Sequence, residues 1–86
     1  MTLHLADAEV RRLLELEPLI GAVREALVDL SAGRVVQPLR TVVEIASEDG
    51  LLFVKPVLAR GILATKLITQ LPRNAERGLP TMLATM

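Results

Sequence analysis

Past Gly33 the hydrophobic period of the chain changes, and that change sets the fold class. Before it, apolar residues recur at helical spacing. Val10, Leu13 and Leu14 make one short face, and Leu19, Ala22, Val23, Ala26, Leu27 and Leu30 a longer one. After it, Leu39, Thr41, Val43 and Ile45 alternate with Arg40, Val42, Glu44 and Ala46, the period of a strand. The first helix starts at Asp7, where Asp7 and Glu9 suit the positive end of the helix dipole. A capping box would need a hydroxyl at position 6, where the residue is Ala6, so the cap is absent or shifts to Asp7. Glu17-Pro18 punctuates, and a second helix runs from Pro18 to about Ala32, with Gly33 free to take a left-handed end.

The strands follow in order. Ser47-Glu48-Asp49-Gly50 is a turn, with Asp-Gly as a hairpin signal. Leu51–Val54 is the second strand, ended or edged by Pro56. Ala59-Arg60-Gly61 turns again, Ile62–Leu71 is the third strand, and Thr81–Met86 begins a fourth. The prediction is an α+β fold: two N-terminal helices followed by an antiparallel β-meander.

Hydrophobic residues make up 51% of only 86 residues, and Phe53 is the one aromatic. The core is therefore aliphatic. So much apolar surface on so short a chain is expected to meet a partner, as a homodimer or higher homo-oligomer that completes the fold. Met86 falls in mid-strand with no polar tail, so residues 1–86 are expected to form a single domain cut short.

Ten basic and ten acidic residues cancel, which leaves no basic field for nucleic acid. There is no cysteine, and the single histidine, His4, makes a protein-only zinc site untenable. No apolar run is long enough to span a membrane, and the N-terminus lacks a signal-peptide pattern, so a cytoplasmic location is expected. A glycine-rich dinucleotide turn, a phosphate loop and a nucleophile elbow are all absent.

The stretch from Arg60 to Thr81 plants Lys66 inside an apolar strand and follows it with a Gly/Pro-bracketed loop. Pattern alone reads Lys66 as a charge blunting a sheet edge; its functional reading is a cation for a carboxylate or phosphate. Arg40 could clamp a carboxylate through its planar guanidinium, or be a solvated strand charge. The Thr81 hydroxyl could touch a phosphate or ribose, or cap its turn. Lys55 and Glu44 read as surface strand positions, and His4 as structural or solvated.

In order and spacing, these segments resemble the N-terminal part of the ornithine cyclodeaminase/μ-crystallin family. The resemblance rests on Ala8-Glu9-Val10, Ser31-Ala32-Gly33-Arg34, Gln37-Pro38-Leu39-Arg40-Thr41-Val42, Leu51-Leu52-Phe53-Val54-x-Pro56, Thr65-Lys66-Leu67-Ile68-Thr69 and Arg77-Gly78-Leu79-Pro80-Thr81. It implies a substrate-binding and dimerising first domain, joined in the family to a Rossmann domain that binds NAD(P). Family activities include cyclising deamination of ornithine, alanine dehydrogenation and ketimine reduction. On that resemblance Arg40 and Lys66 hold the substrate carboxylate, Thr81 contacts the nicotinamide cofactor, and the ranking of Lys66 as an edge charge reverses. Three departures stand out. Lys55 occupies a usually apolar position, Met82 replaces a frequent polar residue, and the Rossmann domain is missing together with the family's aspartate near the substrate amino group. The chain alone is therefore expected to bind no cofactor and to transfer no hydride. The alternative is a stand-alone, non-catalytic homodimer with a vestigial site.

Overall fold

The computed structural model describes residues 1–86 and resolves them into two compact units, Met1–Gly33 and Arg34–Met86. In the first, helix α1 spans Asp7–Leu13 and helix α2 spans Leu16–Ser31. The break comes at Leu14 and Glu15, both extended, two residues earlier than the pattern predicts. Pro18 is the reason. In a continuous helix its nitrogen would have to donate to the Leu14 carbonyl, and its ring would collide with that carbonyl. Restarting at Leu16 puts Pro18 in a first turn, where a missing N–H costs nothing. At the start of α1 the Glu9 carboxylate accepts the Ala6 backbone N–H at 2.8 Å, the half of a capping box that an alanine leaves possible. Arg11 pairs with Asp7 one turn back at 2.9 Å. Gly33 takes φ +74° and closes α2 as predicted.

The second unit is a four-stranded antiparallel meander in the order β1-β2-β3-β4: β1 Thr41–Ile45, β2 Gly50–Ala59, β3 Ile62–Gln70 and β4 Met82–Thr85. The α+β reading stands, with three local corrections. The second strand does not stop at Val54 but runs straight through Pro56 to Ala59. Leu58 exchanges both backbone hydrogen bonds with Val36, at 2.8 and 2.9 Å. Backbone groups alternate sides along a strand, so the Pro56 nitrogen turns toward that same edge. The β1 ladder ends at the Thr41↔Val54 pair, so no carbonyl waits for the hydrogen that proline lacks.

Second, β3 lies between β2 and β4, so Lys66 is not at a sheet edge. Third, in the Asp49-Gly50 turn it is Asp49 that takes the left-handed conformation, at φ 51°. Gly50 opens β2 as a buried residue. The β2–β3 connection is a two-residue turn with positive φ at Arg60 (51°) and Gly61 (73°), the geometry that matches strand twist. That turn fixes the register from Ala59↔Ile62 back to Leu51↔Gln70.

The core is thin. No hydrophobic side chain in the chain is buried. The strand β2 comes nearest, being half-buried over most of its length.

Candidate functional site: a row of cations on one sheet face

Directly opposed residues of an antiparallel sheet share a face, and so do alternate residues of one strand. The pair Lys55↔Lys66 therefore shares its face with Phe53↔Ile68 and Val42↔Phe53. Arg40 stands one residue before β1, and its guanidinium carbon lies 5.0 Å from the centre of the Phe53 ring, which puts it on the same face. The ring's negative face favours the charge there. Arg40 and Lys66 thus come to one side of the sheet, with Lys55 between them.

Shallow hollows mark the same ground. One of about 510 Å³ is lined by Gln37, Pro38, Leu39, Arg40, Val42, Lys55 and Pro56. A second of about 280 Å³ is lined by Gln37, Val57, Ala64, Lys55, Lys66 and Met86. A third of about 220 Å³ lies between Arg40, Phe53, Lys55, Ile68, Gln70 and Met82. Lys55 lines all three. Arg77 pairs with Glu48 at 3.0 Å and Arg73 with Glu76 at 3.8 Å. Glu44 does share the cationic face, opposite Leu51, but lies two rows from Lys55, or about 13 Å at the rise of a strand.

Thr81 sits apart. Its backbone carbonyl accepts the Leu71 N–H at 2.7 Å, and it lines none of the three hollows. Leu71 is five residues along from Lys66, about 16 Å at the strand rise, so one small ligand cannot touch both Thr81 and Lys66 in this arrangement. The loop before Thr81 is held by Asn74, only 6% exposed. Its Nδ2 donates to the Pro80 carbonyl at 3.0 Å, its Oδ1 accepts from Arg77 Nη1 at 3.4 Å, and its own carbonyl accepts from Leu79 at 2.9 Å. Asn74→Ala should cost about 1 kcal/mol through the two side-chain bonds lost. Hydrogen exchange should then speed up in Gly78–Thr81 more than in β2, and a uniform rise would argue against a local clamp.

Chemically the face can bind and orient an anion. No histidine or paired carboxylate stands there for proton transfer, and no group of three or more His, Cys, Asp or Glu residues is placed to hold a metal ion. No helix is long and apolar enough to cross a membrane. The residue that pattern reading passed over is Lys55. The expected turn over Ala59-Arg60-Gly61 counts Lys55 opposite Thr65, whereas the two-residue Arg60-Gly61 connection, with Ala59 inside β2, sets it opposite Lys66. The expected strand, Leu51–Val54, also stopped one residue short of Lys55.

The chain is matched over residues 1–86 by the model of the ornithine cyclodeaminase/mu-crystallin family. It is 36% identical over 76 residues to Delta(1)-pyrroline-2-carboxylate reductase 2 of Burkholderia ambifaria, covering 88% of this chain and 24% of that protein. It is likewise 36% identical over 76 residues to the Delta(1)-pyrroline-2-carboxylate/Delta(1)-piperideine-2-carboxylate reductase of Azospirillum brasilense, with the same coverage. The solved structure of Thermococcus litoralis Delta(1)-pyrroline-2-carboxylate reductase, in complex with NADH and L-proline, superposes with a TM-score of 0.76 at 30% identity, over 86% of this chain and 24% of that one. The chain thus spans about a quarter of the length of the relatives it matches.

Proposed function

The chain belongs to the ornithine cyclodeaminase/mu-crystallin family, and from that premise we propose that its sheet is the substrate-carboxylate-binding and dimerising module of an NAD(P)-dependent protein acting on a cyclic imino or amino acid. The observation that carries this reading is the meeting of Arg40 and Lys66 on one face, around hollows with no carboxylate paired to either. A guanidinium stacked on Phe53 presents a planar pair of donors, and an ammonium two strands away supplies a second charge. Between them they would seat and orient a carboxylate. The Thermococcus relative holds L-proline together with NADH, which makes L-proline the natural first probe.

The residues present do not fit a complete dinucleotide site. Thr81 offers one hydroxyl, and the positive-φ glycines Gly33, Gly61 and Gly78 each end a helix or close a turn. No hydride step is assigned to these 86 residues. Dimerisation is read from the opposite face, where Val43, Leu58, Leu63, Leu67 and Leu83 are each 41–74% exposed. Light scattering should give a mass of two copies or more, and a clean monomer would sink that part.

Calorimetry tests the site. L-proline should bind and L-prolinamide, which lacks the carboxylate, should not. Equal binding of both would overturn the carboxylate assignment. A folded dimer that gives no heat with either would favour the reading of a structural homodimer with a vestigial site.

A further inference from the structure

Lys55 and Lys66 face each other directly across β2 and β3. Directly opposed positions lie about 5 Å apart at Cβ, and like charges there destabilise a sheet. The pairing is not a loose surface accident. A two-residue turn fixes it, and a slip of one residue would send both side chains to the other face. Arg40, held on the same face by Phe53, brings a third positive charge to the neighbouring strand. None of the three is joined to a carboxylate, while Arg73 and Arg77 in the loop beyond β3 pair with Glu76 and Glu48. The one acid on their face, Glu44, is too far along the strands to compensate them.

One carboxylate seated between Arg40 and Lys66 brings a single negative charge to a row of three cations. The row keeps an excess of positive charge around its middle member, Lys55, which lines every hollow on this face. We propose that Lys55 receives a second anionic group of the ligand, so that this site takes an amino or imino acid bearing two carboxylates. The proposal rests on the carboxylate site assigned above and deepens it. The span suits the chemistry: the cross-strand spacing is close to the separation of two carboxylates on one five-membered ring. The second carboxylate also relieves the Lys55–Lys66 repulsion, so part of the binding energy comes from removing a strain built into the free protein.

The test compares two ligands with the same ring, L-proline and cis-pyrrolidine-2,5-dicarboxylate, by calorimetry on the folded wild-type chain and on Lys55→Met, Lys55→Arg and Lys66→Ala. The wild type should bind the dicarboxylate about tenfold more tightly than L-proline. Lys55→Met should bring that ratio close to one, Lys55→Arg should keep it, and Lys66→Ala should weaken both ligands. Circular dichroism checks that each variant is folded, and Lys55→Arg keeps the test decisive should Lys55→Met unfold. A wild-type ratio near one, or a ratio that survives Lys55→Met, overturns the role of Lys55 while leaving the carboxylate site standing. The same holds if inorganic phosphate competes better than the dicarboxylate. No binding of either ligand overturns the carboxylate site and the role of Lys55 together.

Discussion

Arg40→Ala is expected to weaken L-proline binding by about tenfold, and Lys66→Ala by a similar factor. A hydrogen bond to a charged group contributes about 1.5–3 kcal/mol. Both side chains are open to water, where screening draws the value toward the bottom of that range. Each 1.4 kcal/mol is roughly a factor of ten in Kd. The double variant should lose less than the product of the two factors, because both cations serve one carboxylate and residues that share a partner are not additive. Arg40→Lys separates charge from shape. Lysine keeps the charge but loses the planar fork and its stacking on Phe53, so it should recover only a minor part of the loss. Phe53→Leu should weaken binding by about two- to fivefold, since an exposed cation–π contact is worth about 0.5–1 kcal/mol. Titration calorimetry reads all five variants. A full rescue by lysine would show that only net charge matters here, and an unaffected Lys66→Ala would remove Lys66 from the site.

Much of this was legible in the sequence, and the rest was hidden for identifiable reasons. The change of period at Gly33 gave the α+β order, because helical and strand spacings cannot be confused over stretches as regular as Leu19–Leu30 and Leu39–Ile45. Local backbone chemistry was read less well. Pro56 either ends or edges the second strand by pattern; which of the two holds depends on the side its nitrogen faces, and the Val36↔Leu58 bridge shows that it edges the strand. Pro18 sets the helix break at Leu14, since a proline acts four residues upstream of itself. Of the candidate residues, Arg40 and Lys66 stand together and Thr81 does not. Their convergence depends on register, which no local pattern carries. The turn carries it only once its length is known: Ala59-Arg60-Gly61 as a three-residue turn pairs position 55 with position 65, and the observed two-residue Arg60-Gly61 turn pairs it with position 66.

Gly50→Ala should be the most destabilising single-methyl change in the sheet. The usual reason to keep a glycine after aspartate is a positive φ, yet here Asp49 carries the positive φ and Gly50 is extended and buried. Its reason is space. A Cβ at Gly50 would meet Leu71 Cδ2 at 2.5 Å and the Gln70 backbone oxygen at 2.9 Å. A leucine methyl can swing aside, but the Gln70 carbonyl belongs to the β3 end that packs beside the turn. Forcing atoms into such a site costs about 1–3 kcal/mol. For a chain of this size that is about 5–20 °C in melting temperature, and a protein with no buried hydrophobic side chain has little margin to absorb it. Two controls isolate the cause. Leu71→Ala in the Gly50→Ala background removes the nearer clash and should return only part of the stability, the Gln70 oxygen accounting for the rest. Gly21→Ala, where an added Cβ meets nothing within 4 Å in the middle of α2, should be stabilising instead. Thermal melts followed by circular dichroism decide the matter. If Gly50→Ala melts within about 2 °C of the wild type, the close approach of β2 to the end of β3 is relaxed in solution, and the glycine is free.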